Sequence, residues 1–363
     1  MNDVVRIAAV GDVMLGDAFY HMGRGVRNIL CERGNDFTFA EVRQLLRWHD
    51  VVVGNLECVL SDADLRPNRL TSMQYRGRQD FIGCLLDGNF SAMSISNNHI
   101  LEHGPSALLE TINLLESAGI LAVGLPEVRQ RLNPERCLVE VGGMSIAFLG
   151  YCLYRDRHTE AIVARLPDIL EDVRVFARLA DRVIVSLHWG IEYMPIPAPS
   201  QIDIAHGIID AGSSVVLGHH PHVLQGIEEY NGAVIAYSLG NFVFSTWLPE
   251  TRSSVILSIS LDKEGPVKFD IVPVIINGEW QPVPVSGDEA QKIMDQIAAR
   301  TRALTSDNLL LCQDNRRYSQ MAADVLKTHR RQLRRYILSS LWRQPSWVAI
   351  QLMTRPILHY LKG

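Results

Sequence analysis

Residues 213–226 read SSVVLGHHPHVLQG. An apolar run ends at Gly218, and three histidines follow within four positions: His219, His220 and His222. Apolar residues without polar alternation mark a strand buried on both faces. Such strands belong to α/β sheets, whose ligands bind outside the carboxyl ends of the strands. The histidines stand at that end. Whether they hold a metal or merely pack there depends on what the other strand ends carry.

Four further runs answer this. VRIAAV (5–10) is followed by Gly11 and Asp12, DVVVG (50–54) by Asn55 and Glu57, SAMSIS (91–96) by Asn97, Asn98 and His99, and VIVSL (183–187) by His188. Strand-like runs also occur at 119–124, 233–240 and 253–261, and CLVEVGGMSIAFLG (137–150) carries the Gly-Gly signal of a hairpin. Helical patterns lie between them. GPSALLETINLLESAG (104–119) has Pro105 near its first turn, and SQIDIAHGIIDAG (200–212) has Ser200 as the expected N-cap and Gly212 as the expected C-cap. Strands alternating with helices predict an α/β fold, and the hairpin makes the sheets mixed.

Taken singly, each strand end has a plain structural reading, since Asp12 suits a turn and NNH an Asx turn. Five strand ends delivering Asp, Glu, Asn and His together point to a metal centre with oxygen and nitrogen ligands. That donor set suits Mn, Fe or Zn. Two such ions can clamp the attacking and leaving oxygens of a displacement. Asp12, Glu57, Asn98, His188, His220 and His222 are the expected metal ligands, with Glu57 as the bridge. Asp12 and His99 are the candidate catalytic residues, His99 as proton donor to a leaving group. Asp203 and His206, on the helix upstream of the histidines, and His219 are expected to support the ligands from behind. Of the three histidines, His219 is expected to be the replaceable one.

The bulk numbers narrow the class. With 363 residues, 47% hydrophobic and 21% charged, the chain can bury a large core. A net charge of −5 gives no basic field for nucleic acid, and no nucleic-acid partner is expected. The 6 cysteines are scattered without a C-x-x-C, which fits reduced thiols in a cytoplasmic protein. No signal peptide and no membrane-spanning run is visible, so the expected location is the cytoplasm, with peripheral contact to a membrane as an extension of that reading.

Two basic stretches stand out. LRPNRLTSMQYRGRQ (65–79) contains Arg66, Arg69, Arg76 and Arg78 and no acid. It reads as a solvated loop, or as a site where Arg76 and Arg78 hold an anionic substrate. Asn55 and Asn241 are further candidate substrate contacts. After about residue 285 the strand signal ends, so residues 1–285 are expected to form the main domain and 286–363 a helical basic extension. Its Lys327, Arg330, Arg331, Arg334, Arg335, Arg343, Arg355 and Lys362 leave three roles open: packing on the main domain, contact with a partner, or contact with an anionic membrane surface.

The motifs GDVMLGD (11–17), GNLECVL (54–60), SISNNHILEHG (94–104), SLHWGIEY (186–193), Q-x-x-x-A-H-x-I-I-D-A-G (201–212), GHHPHVLQGIE (218–228) and YSLGNFVF (237–244) occur in this order. They resemble the CapA (PgsA-like) family of poly-γ-glutamate capsule synthesis proteins, which in turn resembles the calcineurin-like metallophosphoesterases. The resemblance covers about residues 5–275. It implies a four-layer α/β/β/α sandwich with two mixed sheets and two divalent metal ions. It also implies an anionic or polyglutamate-like substrate and a synthetase or ligase partner. Matched by motif, Asp12, Glu57, Asn98, His99, His188, His220 and His222 take the site positions. Two positions depart from the superfamily pattern: Met14 stands where a histidine ligand is usual, and Glu57 where the bridge is usually Asp. Asp17 or water is then the expected substitute ligand. A metal-dependent hydrolase or transferase and a non-catalytic accessory subunit of a polymer-synthesising complex both fit these residues.

Overall fold

The computed structural model describes residues 4–124, 134–156, 158–160, 162–305 and 315–354. In chain order its strands are β1 (Val5–Val13), β2 (Val51–Leu56), β3 (Val59–Leu60), β4 (Arg76–Gly77), β5 (Ala92–Ser94), β6 (Leu121–Val123), β7 (Leu138–Val141), β8 (Met144–Cys152), β9 (Arg182–His188), β10 (Val215–His219), β11 (Ile227–Tyr230), β12 (Ala233–Ala236), β13 (Asn241–Val243), β14 (Ser253–Leu261), β15 (Lys268–Ile276) and β16 (Pro282–Pro284). The first sheet runs β16-β15-β14-β1-β2-β5-β6 with β13 beside β1, and the second runs β11-β12-β10-β9-β8-β7. Both are mixed. The central pairs β1–β2, β2–β5, β8–β9 and β9–β10 are parallel, and β14, β15, β7 and β11 join antiparallel.

Side-chain alternation explains why the central strands are apolar throughout. Val5, Ile7 and Ala9 of β1 point into the space between the sheets, with Val51, Val53, Ile184, Val215 and Leu217. Ala8 and Val10 point to the other side, toward a core that includes helix residues Val26, Leu30 and Leu108. On the second sheet, Val183, Val185 and Val216 face Ile169, Val173, Ala205 and Ile208 of the helices Leu166–Phe176 and Pro199–Asp210. A strand sandwiched this way has no face left for polar residues. The result is the expected four-layer α/β/β/α arrangement.

Some boundaries differ from the sequence reading. The helix expected to start after Ser200 begins at Pro199, with Ala198 as N-cap. Proline supplies the helical φ and needs no hydrogen bond at that position, so it starts the helix one residue before the hydroxyl would. The run 233–240 is not one strand. It leaves the second sheet after Ala236, crosses, and rejoins the first sheet as β13.

That crossing sets the centre of the molecule. Leu239 N–H donates to the Gly218 carbonyl at 3.1 Å, and Asp12 N–H donates to the Gly240 carbonyl at 2.9 Å. A Cβ on Gly218 would lie 1.9 Å from the Tyr237 oxygen, and one on Gly11 2.0 Å from the Gly240 oxygen. Both glycines are therefore required by backbone-to-backbone contact.

The C-terminal helices pack on this body. In the helix Gly287–Thr305, Ile293 and Ile297 join the core between the sheets. The long helix Asn315–Ser340 buries Tyr318 and Ala322 against Met194, and buries Ile337 farther along, and Val348 and Leu352 of the helix Ser346–Thr354 bury beside Ile337. Tyr336 Oη lies 2.8 Å from His21 Nε2 and accepts from the Arg24 guanidinium at 3.0 Å. Arg331, Arg334 and Arg335 face solvent. Of the three roles left open for the basic stretch, packing on the main domain is the one the geometry displays. Cys312, Arg355 and Lys362 lie outside the described residues. No helix among the described residues is long and apolar enough to cross a membrane.

Ile337 is 7% exposed and sits in the cluster that joins the long helix to Ala18, Tyr20 and Met22. An unpaired charge there should cost ~3 kcal/mol of docking free energy. Ile337→Asp is therefore expected to speed tryptic cleavage within 327–335 at least tenfold while leaving the sheet signal in circular dichroism intact. Unchanged cleavage would show that the helix is held by other contacts.

Candidate metal centre

The strand ends converge as the two sheets stack. Asp12 closes β1 with β2 and β13 on either side, opposite Asn55 and Asn241 in register. His188 closes β9 opposite His219 of β10. Asp12, Glu57, His188 and His220 are each at most 1% exposed, and His222 is 7% exposed.

Two ligand groups result. Asp12, Glu57 and His222 form one, and Glu57, His188 and His220 the other, each with its ligand atoms within 4.8 Å of one another. Glu57 belongs to both, which is the geometry of a bridge. Glu57 Oε1 lies 3.8 Å from His222 Nε2 and 3.9 Å from His188 Nε2. Asn98 Oδ1 is 2.9 Å from the same His188 nitrogen, which places Asn98 with the second group.

The supporting contacts fix the donor atoms. His222 Nδ1 is 2.9 Å from Asn241 Oδ1, and in the tautomer that donates to this amide the Nε2 lone pair faces Glu57. Asp12 Oδ1 accepts from Asn55 Nδ2 at 2.9 Å and lies 3.1 Å from His219 Nδ1. Asn97, given no role from sequence, donates to Asn55 Oδ1 at 3.1 Å and to the Leu56 carbonyl at 2.8 Å, and accepts from His99 N–H at 3.1 Å. Asparagine directly before an Asn-His pair was the available signal, because a side chain with both donor and acceptor can tie the end of β2 to the loop after β5.

Both oxygens of Glu57 and both ring nitrogens of His220 are buried without a hydrogen-bond partner among the described residues. Burying a carboxylate unpartnered costs several kcal/mol, and a divalent cation is the partner that removes the cost. The residues therefore fit a metal pair. The electrostatics agree. Burial, then neighbouring Asp12, push Glu57 well above the usual carboxylate range. Burial raises Asp12 too, but contacts with His219 and His222 outweigh it and hold Asp12 well below that range. Burial disfavours the His222 cation, yet Glu57 and Asp12 overcome it and push the imidazole up to about 10. Without metal, then, a proton on His222 serves as the countercharge. His220 and His222 also hold left-handed backbone, at φ +96° and +58°. Strain of this kind collects at functional sites.

The other expected site residues fall in several places. His99 Nε2 lies 3.8 Å from Glu57 Oε1, and its Nδ1 lies 3.5 Å from Glu102. Asn55 and Asn241 are both 1% exposed or less, and their side chains are spent on Asp12 and His222 rather than facing a substrate. His219 is buried with its Nδ1 3.1 Å from Asp12 Oδ1. Asp17 does not fill the missing ligand position. Its Oδ1 accepts from Arg27 N–H at 3.0 Å and its Oδ2 from Gly23 N–H at 3.3 Å, around the start of the helix Val26–Arg33. Met14 packs into the outer core of the first sheet.

Arg76 and Arg78 are not brought to the ligands. Arg78 pairs with Asp80 at 2.9 Å, and Arg76 is buried with its guanidinium on the Ala63 carbonyl at 2.8 Å. Asp203 and His206 are also away from the site. Their helix turns Ala205, Ile208 and Ile209 inward, which leaves Asp203 exposed and His206 on Glu228 at 3.1 Å.

Residues 6–246 match the family described as "Bacterial capsule synthesis protein PGA_cap". The chain is 30% identical over 302 residues to the PGA biosynthesis protein CapA of Bacillus subtilis (strain 168), covering 80% of this chain and 76% of that one. It is 33% identical over 217 residues to a probable polyglutamine synthesis accessory protein of Mycobacterium tuberculosis, covering 53% of this chain and 55% of that one. Among solved structures, a novel phosphatase from Mycoplasma pneumoniae superposes with a TM-score of 0.48 at 13% identity, over 76% of this chain and 95% of that one.

Proposed function

Because the chain belongs to the bacterial capsule synthesis protein family PGA_cap, we propose that it is a metal-dependent hydrolase or transferase in the synthesis of poly-γ-glutamate or a related polymer. The observation that carries this reading is the sharing of Glu57 between two ligand groups, with its two oxygens without a hydrogen-bond partner among the described residues. Two divalent ions there would supply Lewis acidity and a nucleophile at neutral pH to a phosphoester or amide-type bond. Asp12, Glu57 and His222 would hold one ion, and Glu57, Asn98, His188 and His220 the other. Asn55, His219 and Asn241 orient the ligands, and Asn97 anchors the loop that carries Asn98 and His99. His99, backed by Glu102, delivers the proton to the leaving group.

A second reading has its own support. Met14 leaves the first group with three protein ligands, and the M. tuberculosis relative is named as an accessory protein. In that reading the chain works beside a synthetase, and the exposed Leu338 and Trp342 next to Arg331, Arg334 and Arg335 are its contact with that partner or with a membrane.

Elemental analysis followed by a chromogenic ester and γ-glutamyl amide screen with Mn²⁺, Zn²⁺ and Fe²⁺ separates the two. The enzyme reading expects close to two ions per chain and turnover that chelation abolishes and metal restores. One ion or none, with no turnover under any metal, favours the accessory reading.

A further inference from the structure

The loop that follows His188 is tied to the ligand loop rung by rung. Trp189 N–H donates to the His219 carbonyl at 3.1 Å, and Tyr193 N–H donates to the Pro221 carbonyl at 2.8 Å. The side-chain amide of Gln225 donates to the Met194 carbonyl at 2.8 Å. Pro221 stands between the candidate ligands His220 and His222, so the Tyr193 rung holds the peptide that spaces them. Tyr193, His220 and His222 all have left-handed backbone, at φ +64°, +96° and +58°. Residues with a Cβ keep this conformation only where their surroundings over-determine it.

Those surroundings come from the other end of the chain. Met194 is fully buried against Tyr318 and Ala322 of the long helix Asn315–Ser340, with Met321 and Val325 packed on the same cluster. The Tyr318 hydroxyl donates to the Ile196 carbonyl at 3.5 Å. His329 Nδ1 donates to the Val325 carbonyl at 2.9 Å, which fixes its ring. That ring lies 4.5 Å from the Tyr193 ring between centroids, and the Tyr193 ring lies 6.3 Å from that of His222. Positions 318, 322, 325 and 329 share one helix face, so a single docked face reaches from Met194 to Tyr193.

A group that orients a metal ligand from behind typically carries roughly 10- to 100-fold of the metal affinity. Here the oriented group is the backbone between two imidazoles. We propose that Tyr193 is a positioning residue for the candidate ligands His220 and His222, and that the long C-terminal helix, acting through it, holds their loop in the binding geometry. This rests on the metal-dependent reading above and adds residues 315–329 to what that site requires.

The test uses the full-length protein and reads the loop with and without metal. In the metal-free protein, hydrogen-exchange mass spectrometry is expected to show Tyr193→Ala and His329→Ala each raising amide exchange in 219–225 about tenfold, with β1 and β8 unchanged. Tyr193→Phe and His329→Phe, which keep the stacked rings, should exchange as the wild type does. Titration with Co²⁺, read by its visible absorption, should show roughly tenfold weaker binding in both alanine variants and wild-type binding in both phenylalanine variants. Alanine variants with wild-type exchange in 219–225 overturn the proposal. So do alanine variants whose loop loosens while Co²⁺ binds as tightly as before, and so does loss of protection across the whole second sheet, which would be general loosening and not loss of position. A wild type that binds no Co²⁺ would sink the metal-dependent reading, and the exchange comparison would still decide whether the helix holds the loop through Tyr193.

Discussion

Glu57→Gln is expected to strip both ions from the protein and lower turnover by roughly 10³-fold. It is the one side chain common to both ligand groups, so neither group survives its loss. The same substitution should reverse sign in the absence of metal. Glu57 is fully buried and its oxygens have no hydrogen-bond partner among the described residues, and burial together with Asp12 raises its pKa well above the ordinary value. A carboxyl with a raised folded pKa contributes stability that is complete below the unfolded pKa. That contribution is lost as pH climbs through the folded pKa. Metal-free wild type should therefore lose stability between pH 5 and pH 8 relative to Glu57→Gln, and melt below it at pH 8. Adding metal at about 100 times its Kd should stabilise the wild type by ~2.7 kcal/mol and leave the variant unmoved. Calorimetric scans with and without chelator at the two pH values measure all of this. If metal raised the melting temperature of the Glu57→Gln protein as much as that of the wild type, Glu57 would not be a ligand.

The second large effect comes from a residue with no side chain. Gly218→Ala sets a methyl carbon 1.9 Å from the Tyr237 carbonyl oxygen, and neither backbone can yield without breaking β10 or the crossing segment. The expected cost is about 3 kcal/mol, which is roughly 4 °C in melting temperature for a chain of 363 residues. The displacement also reaches the site, because His219 and His220 follow at once. Metal affinity should fall together with stability. Gly278→Ala serves as the comparison, since nothing lies within 4 Å of a Cβ there, and it should be close to neutral. A Gly218→Ala protein with full metal content and unchanged melting would show that the crossing is more pliant than its geometry implies.

The candidate ligand set was visible in the sequence because such side chains are forced to strand ends. A strand apolar on both faces can place polar atoms only where it stops, so Asp12, Glu57, His188 and His220 are visible as interruptions. What surrounds them was harder to read. Asp203 and His206 are near the histidines in sequence but sit on a helix whose inward face is taken by Ala205, Ile208 and Ile209. Arg76 and Arg78 looked free because their partners, the Ala63 carbonyl and Asp80, gave no pattern in a loop. Asn55 and Asn241 were placed at the site correctly but face the ligands, since side-chain direction at the end of a strand depends on the neighbouring strand's register. Tyr193 lay inside the SLHWGIEY motif, yet its approach to His222 depends on its own left-handed backbone, which local sequence does not announce. The docking of the long C-terminal helix on the loops near Tyr193 and His21 is a tertiary fact without local signature.

The Tyr237–Gly240 crossing has a kinetic consequence. It is hydrogen-bonded to Gly218 on one side and Asp12 on the other, so the same few residues hold the ends of β10 and β1 at once. The sandwich then has no hinge: the sheets cannot part to release an ion without breaking the centre of both. An ion held at the site would have to enter and leave from the loop side, by the loops of Tyr75 and Tyr193 and the helix whose His329 stacks on Tyr193. Exchange rates for bound metal should accordingly follow the mobility of those loops and that helix, and be nearly indifferent to how firmly the two sheets adhere.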